Sequence, residues 1–193
     1  MKQPKYHKRK VAFYKRKEFF SILVGIFLVM LMALGSVSLG VDEESMEFNG
    51  LSFVQTDYGW QAYTSDETKV LITTSPDYLE EGIITVDFSV FNSYNKVYYS
   101  VNPYDSTLSS ALRDFQQNYK VLVATNTACF EDVEGCEDLP IKTCEDADET
   151  TGIIIFKEDD ETVVSFENDC LTIQGKNLLT LTDTLIVNYY GEG

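Results

Sequence analysis

Residues 96–125 read KVYYSVNPYDSTLSSALRDFQQNYKVLVAT and carry the clearest structural pattern in the chain. The run KVYYSV is rich in β-branched and aromatic residues, which suit a pleated surface. Pro103 breaks it, and Asp105 or Ser106 can cap a following helix by accepting from its unpaired backbone N–H groups. Leu108, Ala111, Leu112, Phe115 and Tyr119 then recur at spacings of 3, 1, 3 and 4, one apolar helical stripe. The run VLVAT that follows is continuously apolar, as in a strand covered on both faces. Strand, amphipathic helix, strand is a βαβ crossover, expected right-handed and inside a covered sheet.

Upstream, residues 48–74 alternate. Leu51, Phe53 and Gln55 share one face, the turn signal Asp57-Tyr58-Gly59 follows, and Trp60, Ala62 and Thr64 continue beyond it. A second turn at Ser65-Asp66-Glu67 leads to a third strand over residues 70–74. This predicts a β-meander with one buried face, Trp60 in its core. Residues 76–82 read as a turn or one helical turn. Residues 83–91 read as a further strand with Val86, Phe88 and Val90 on one side.

Downstream, residues 126–151 form a polar, acidic, cysteine-bearing loop. Three β runs follow at 152–156, 162–166 and 170–174. Their hairpin-length turns predict a three-stranded antiparallel segment. Residues 177–190 fit helix and strand nearly equally. We read a helix, because Gly175 and Asn177 precede it and Gly191 would stop it. It should lie beside the first helix and cover one sheet face. The expected fold class is α+β (mixed α/β) in one domain.

Residues 19–41, FFSILVGIFLVMLMALGSVSLGV, contain no charge and are long enough to span a bilayer as a helix. Of the chain's 15 basic and 31 acidic residues, eight basic and one acidic precede this run, so everything beyond it has a net charge of −23. The positive-inside rule puts the tail in the cytoplasm and the acidic part outside. The expected organisation is a basic cytoplasmic tail (1–18), a transmembrane helix (19–41), a juxtamembrane linker (42–47) and an extracytoplasmic disulfide-bonded domain (48–193). Small residues at Gly35 and Gly40 would suit cleavage, but the basic lead and the full span length favour a retained signal-anchor. A prepilin-type precursor is disfavoured, because residues 15–20 contain no small residue to cut after. The expected localisation is the cell membrane, single-pass. Expected partners are the lipid bilayer and a protein at the membrane or cell surface. An outer domain this acidic repels nucleic acid.

Cys129, Cys136, Cys144 and Cys170 all lie on the exported side, where an even number argues for disulfides. Three pairings are possible. We choose Cys129–Cys136, which closes the loop FEDVEG, and Cys144–Cys170, which ties a loop to the start of a strand. The spacings do not suit a four-cysteine zinc site, and no CxxC occurs. The only histidine, His7, lies in the tail. That excludes a Ser-His-Asp triad, a Cys-His pair and His-ligated metal from the outer domain.

The acidic loops, among them Glu131, Asp132, Glu145, Asp146 and Asp148, lack EF-hand spacing and read as a solvated surface. Ser93 and Lys96 match an S-x-x-K string by chance, since its companion motifs are missing. Tyr94, Tyr98, Tyr99 and Tyr104 cluster around the βαβ unit and are the expected interaction face, although alternation allows only part of it to be exposed. No catalytic, cofactor-binding or metal-binding residue is assigned, and no cofactor is expected. The expected function is a membrane-anchored, non-catalytic binding or structural module of the cell envelope. The alternatives are a carboxylate-dependent surface hydrolase and an accessory subunit of a membrane complex.

The stretches ALRDFQQNYKVLVAT, LPIKTCEDADETTGIIIFKEDDETVVSFENDCLTIQGKN and LLTLTDTLIVNYYG resemble a group of archaeal single-pass membrane proteins with an exterior cysteine-containing α/β domain. The shared features are Thr143-Cys144 before an apolar strand, Asn168-Asp169-Cys170 opening another, Thr182-Asp183 in the last helix and Tyr190-Gly191 at its end. The likeness spans residues 95–191. It implies a single-pass exported domain, and it favours the Cys144–Cys170 pairing and the terminal helix. It implies no activity. Cys129 and Cys136 are additional to it.

Overall fold

The computed structural model describes residues 17–36, 45–105 and 108–191, with side chains in the first stretch from 20 to 32. The expected tail 1–18 and the first part of the linker 42–47 fall largely outside these residues. The chain forms two compact units, residues 1–43 and 44–193. In the first unit α1 (Lys17–Ser36) is a 20-residue helix. Its side chains over residues 20–32 are all exposed. Among the described residues no helix is long and apolar enough to cross a membrane, and these side chains cover only part of the apolar run 19–41.

The second unit begins with an antiparallel meander of β1 (Ser45–Phe48), β2 (Leu51–Thr56), β3 (Gly59–Tyr63) and β4 (Lys69–Ile72), in that spatial order. β1 starts inside the stretch expected to be linker. Leu51, Phe53, Trp60, Ala62, Val70 and Ile72 share one buried face, as the alternation predicts. Gly59 makes the β2–β3 turn at φ +129°, where a Cβ would stand 2.4 Å from the Ile72 carbonyl oxygen, so no other residue fits.

The second sheet has five strands: β5 (Lys96–Val101), β6 (Ala124–Cys129), β7 (Thr151–Glu158), β8 (Val163–Glu167) and β9 (Cys170–Gly175). Their order is β6-β5-β7-β9-β8. β6, β5, β7 and β9 run parallel, and β8 alone is antiparallel, hairpinned to β9. α2 (Leu108–Asn118) connects β5 to β6, completing the βαβ unit, and α3 (Leu178–Tyr190) ends the described chain. The Asn177 side chain caps α3 by accepting from the Thr180 N–H, a contact worth about 1 kcal/mol.

Three expectations are corrected. Residues 83–91 are not a strand. Residues 88–93 wind into a 3-10 helix capped by Asp87, which buries Phe88 and Phe91 at i, i+3 spacing. The apolar run 121–125 is mostly a connection in which Val121 and Val123 pack on the core. The strand starts at Ala124 and sits at the sheet edge, largely exposed, not inside the sheet. The final three β runs are not one antiparallel segment. β9 inserts between β7 and β8 and lies parallel to β7. Ile153, Ile154, Ile155 and Phe156 of β7 are buried on both faces, which suits a central parallel strand and not one side of a meander.

The two sheets enclose the helices. Val97, Tyr99, Ile154, Phe156, Leu171 and Ile173 meet Ala111 and Phe115 of α2 and Leu178, Leu181 and Leu185 of α3. On its other side α3 turns Ile186 and Val187 to the meander. The opposite face of the five-stranded sheet carries neither α2 nor α3. Residues 130–150 cover it, with Phe130 and Ala147 packed on Tyr98, Ile153 and Ile155. The Cys129–Cys136 and Cys144–Cys170 disulfides form, as chosen from the sequence, and hold this covering loop in place. Closing the 26-residue separation of the second bond restricts the unfolded chain by about 3 kcal/mol.

Candidate binding site at the edge of β4

β4 ends the meander, so one row of its backbone groups has no strand partner. Polar side chains of the two helices take that place. The Asn118 carboxamide pairs with Leu71 as a neighbouring strand would, its Oδ1 accepting from the Leu71 N–H at 2.8 Å and its Nδ2 donating to the Leu71 carbonyl at 2.6 Å. Two residues on, the Thr73 N–H donates to Asp114 Oδ2 at 2.9 Å. The Thr74 N–H donates to Asp183 Oδ2 at 2.8 Å, and the Glu80 N–H donates to Thr184 Oγ1. A buried edge without these acceptors would cost several unmade hydrogen bonds.

Asp114 and Asp183 therefore meet under the Thr73–Thr74 backbone, 3% and 0% exposed. Arg113 neutralises the first, its Nε 3.1 Å from Asp114 Oδ1, while its Nη2 donates to Thr73 Oγ1. Among the described residues no cation pairs with Asp183. Burial, opposed by the Thr74 hydrogen bond and reinforced by charge repulsion from Asp114, pushes its carboxyl up to about 8. A proton on Asp183 spares the pair a second buried charge. Among the described residues, neither Asp183 Oδ1 nor Thr182 Oγ1 meets a hydrogen-bond partner.

Above this buried layer the surface opens into two clefts that share Thr73. One, of about 540 Å³, is bordered by Asp57, Tyr58, Gly59, Arg113 and Gln117. The other, of about 550 Å³, is bordered by Trp60, Ser75, Tyr78, Glu80 and Asn177. The tight Gly59 turn leaves Tyr58 at its tip, 85% exposed, and the 3-10 turn Pro76–Tyr78 leaves Tyr78 74% exposed. Trp60 is buried in the meander core and shows only an edge to the second cleft.

The tyrosines expected to form an interaction face are not brought together. Tyr94 and Tyr99 are buried. Tyr94 lies against Gly152, and its hydroxyl donates to Asp169 Oδ1 at 2.7 Å. Tyr98 is half-buried with the Lys96 and Lys142 ammonium groups over its ring. Only Tyr104 is largely exposed. Ser93 Oγ donates to the Val90 carbonyl and Lys96 Nζ to Tyr98 Oη, so the S-x-x-K pair is engaged elsewhere.

The loop acids serve their own backbone. Asp146 accepts from the Thr143 N–H and pairs with Lys142, Asp148 accepts from the Thr150 N–H, and Glu137 accepts from the Gly135 N–H. Their carboxyl pKa values are lowered, Asp146 chiefly by the Thr143 N–H, Asp148 by the Thr150 hydroxyl and then its N–H, and Glu137 by its own N–H and then that of Gly135. Among the described residues no group of three or more His, Cys, Asp or Glu is placed to hold a metal ion.

Tyr58 and Tyr78 were not singled out from sequence, although a signal existed. An aromatic ring in an Asp-Tyr-Gly turn, or at the end of a Pro-initiated one, has no strand face to bury it. Comparison with protein-family models, curated proteins and solved structures found no match for the chain.

Proposed function

We propose that this is a single-pass membrane protein, cytoplasmic at its N-terminus, whose exported domain binds a partner at the cell envelope without catalysing a reaction. The apolar run 19–41, the charge step across it and two disulfides in the acidic unit support the export. One observation carries the non-catalytic reading. The two acids that meet, Asp114 and Asp183, are occupied by the Thr73 and Thr74 N–H groups beneath the surface, while exposed Tyr58 and Tyr78 stand at the rims of two clefts. Aromatic side chains at a cleft rim are what recognition uses.

Full-length chain purified in mild detergent tests this. An envelope component, protein or glycan, should copurify and be lost from a Tyr58→Ala/Tyr78→Ala variant. The second reading, a carboxylate-dependent hydrolase, draws on the raised pKa of Asp183 beside arginine-paired Asp114. A chain that purifies alone and hydrolyses a surface substrate in a manner abolished by Asp114→Asn would replace the binding reading with that one.

A further inference from the structure

The two clefts at Thr73 repeat the same chemistry. Each has one exposed tyrosine, one carboxylate and one carboxamide: Tyr58, Asp57 and Gln117 in the first, Tyr78, Glu80 and Asn177 in the second. Their volumes, about 540 and 550 Å³, are nearly equal. Resting on the binding reading above, we propose that these clefts are two subsites for a neutral oligosaccharide, one sugar unit or more in each, with Thr73 between them.

A pyranose ring has an apolar C–H face and a rim of hydroxyls that both donate and accept. The first suits a flat exposed tyrosine ring, and the second suits carboxylate and carboxamide groups, which offer acceptors and donors in fixed directions. A repeated set of side chains suits a ligand with a repeated unit. Charge excludes acidic ligands. The part of the chain beyond residue 41 has a net charge of −23, Asp57 and Glu80 stand at the cleft rims, and Arg113 already faces Asp114. An acidic glycan or a nucleic acid would meet repulsion there.

The chain's single tryptophan, Trp60, borders the second cleft and reports occupancy by its emission. The experiment titrates full-length protein, in a detergent without a sugar headgroup, with maltotetraose, cellotetraose, mannotetraose and N-acetylchitotetraose. At least one should shift Trp60 emission saturably. Tyr58→Ala and Tyr78→Ala should each weaken that response about tenfold, the loss of one stacked ring. Both side chains are largely exposed, so the variants should keep the wild-type unfolding midpoint, which is measured alongside. Silence from all four sugars, or a response that survives both substitutions, overturns the proposal. A protein partner that copurifies through Tyr58 and Tyr78, with no sugar response, overturns the glycan but leaves the binding reading standing. Neither copurification nor sugar response removes both.

Discussion

Replacing Asp183 with asparagine tests how the helices hold the edge of β4. Asp183 is fully buried, and its carboxyl is pushed up from 3.8 to about 8, by burial first and then by the Asp114 charge. A carboxyl raised in the folded state is protonated there while it is ionised in the unfolded chain. The stability this gives is complete below about pH 4 and is lost progressively as the pH rises to about 8, at up to about 1.4 kcal/mol per unit. Asp183→Asn keeps an oxygen to accept from the Thr74 N–H, adds donors beside Asp114 and cannot ionise. The variant lacks this loss, so its stability relative to the wild type should rise by about 3–4 kcal/mol between pH 5 and pH 8 and change little below about pH 4. Urea unfolding followed by Trp60 emission at several pH values measures it. Other titrating groups, such as Asp105, whose pKa is also raised by burial, contribute equally to both proteins and cancel in the difference. A variant with the wild-type pH slope would refute the assignment of a protonated Asp183.

Asn118→Ala removes both bonds to Leu71 and should cost about 2–3 kcal/mol; hydrogen exchange should show the Leu71 amide losing protection before its neighbours. Gly152→Ala would place a Cβ 2.6 Å from the Tyr94 ring, and the forced shift should lower stability by about 1–3 kcal/mol in thermal unfolding. A Cys144→Ser/Cys170→Ser double variant should lose about 3 kcal/mol, and limited proteolysis should then cut first within residues 130–150, which that bond holds against the sheet.

The parts of the fold legible in sequence are those whose burial is one-sided. α2 has one apolar stripe and was readable. The meander alternates and was readable. α3 lies between two sheets, so Leu178, Leu181 and Leu185 point one way and Ile186 and Val187 another, and its period blurs toward that of a strand. The boundary signals Gly175, Asn177 and Gly191 separate the two. Residues 83–91 mislead because Val86, Phe88 and Val90 alternate, while the Asp87 cap and the three-residue spacing of Phe88 and Phe91 mark a 3-10 helix. The site was less legible still. Asp114 falls on the polar side of an amphipathic helix and reads as solvent-facing. It is buried only because the meander docks there, a contact between elements 41 residues apart. Tyr58 and Tyr78 each betray exposure by their turns, but nothing local says that both border clefts meeting at Thr73. The tyrosines at 94–104 show the converse, since neighbours along a strand point to opposite faces.

Export of the disulfide-bonded unit underlies the proposed function, and the cysteine chemistry makes it directly measurable. All four cysteines are paired, so an added thiol is the one free to react. In intact cells a membrane-impermeant maleimide should label Tyr58→Cys, at an exposed turn, and should label Lys5→Cys, in the basic tail, only after lysis. Labelling of Lys5→Cys in intact cells, with Tyr58→Cys reached only after lysis, would contradict it.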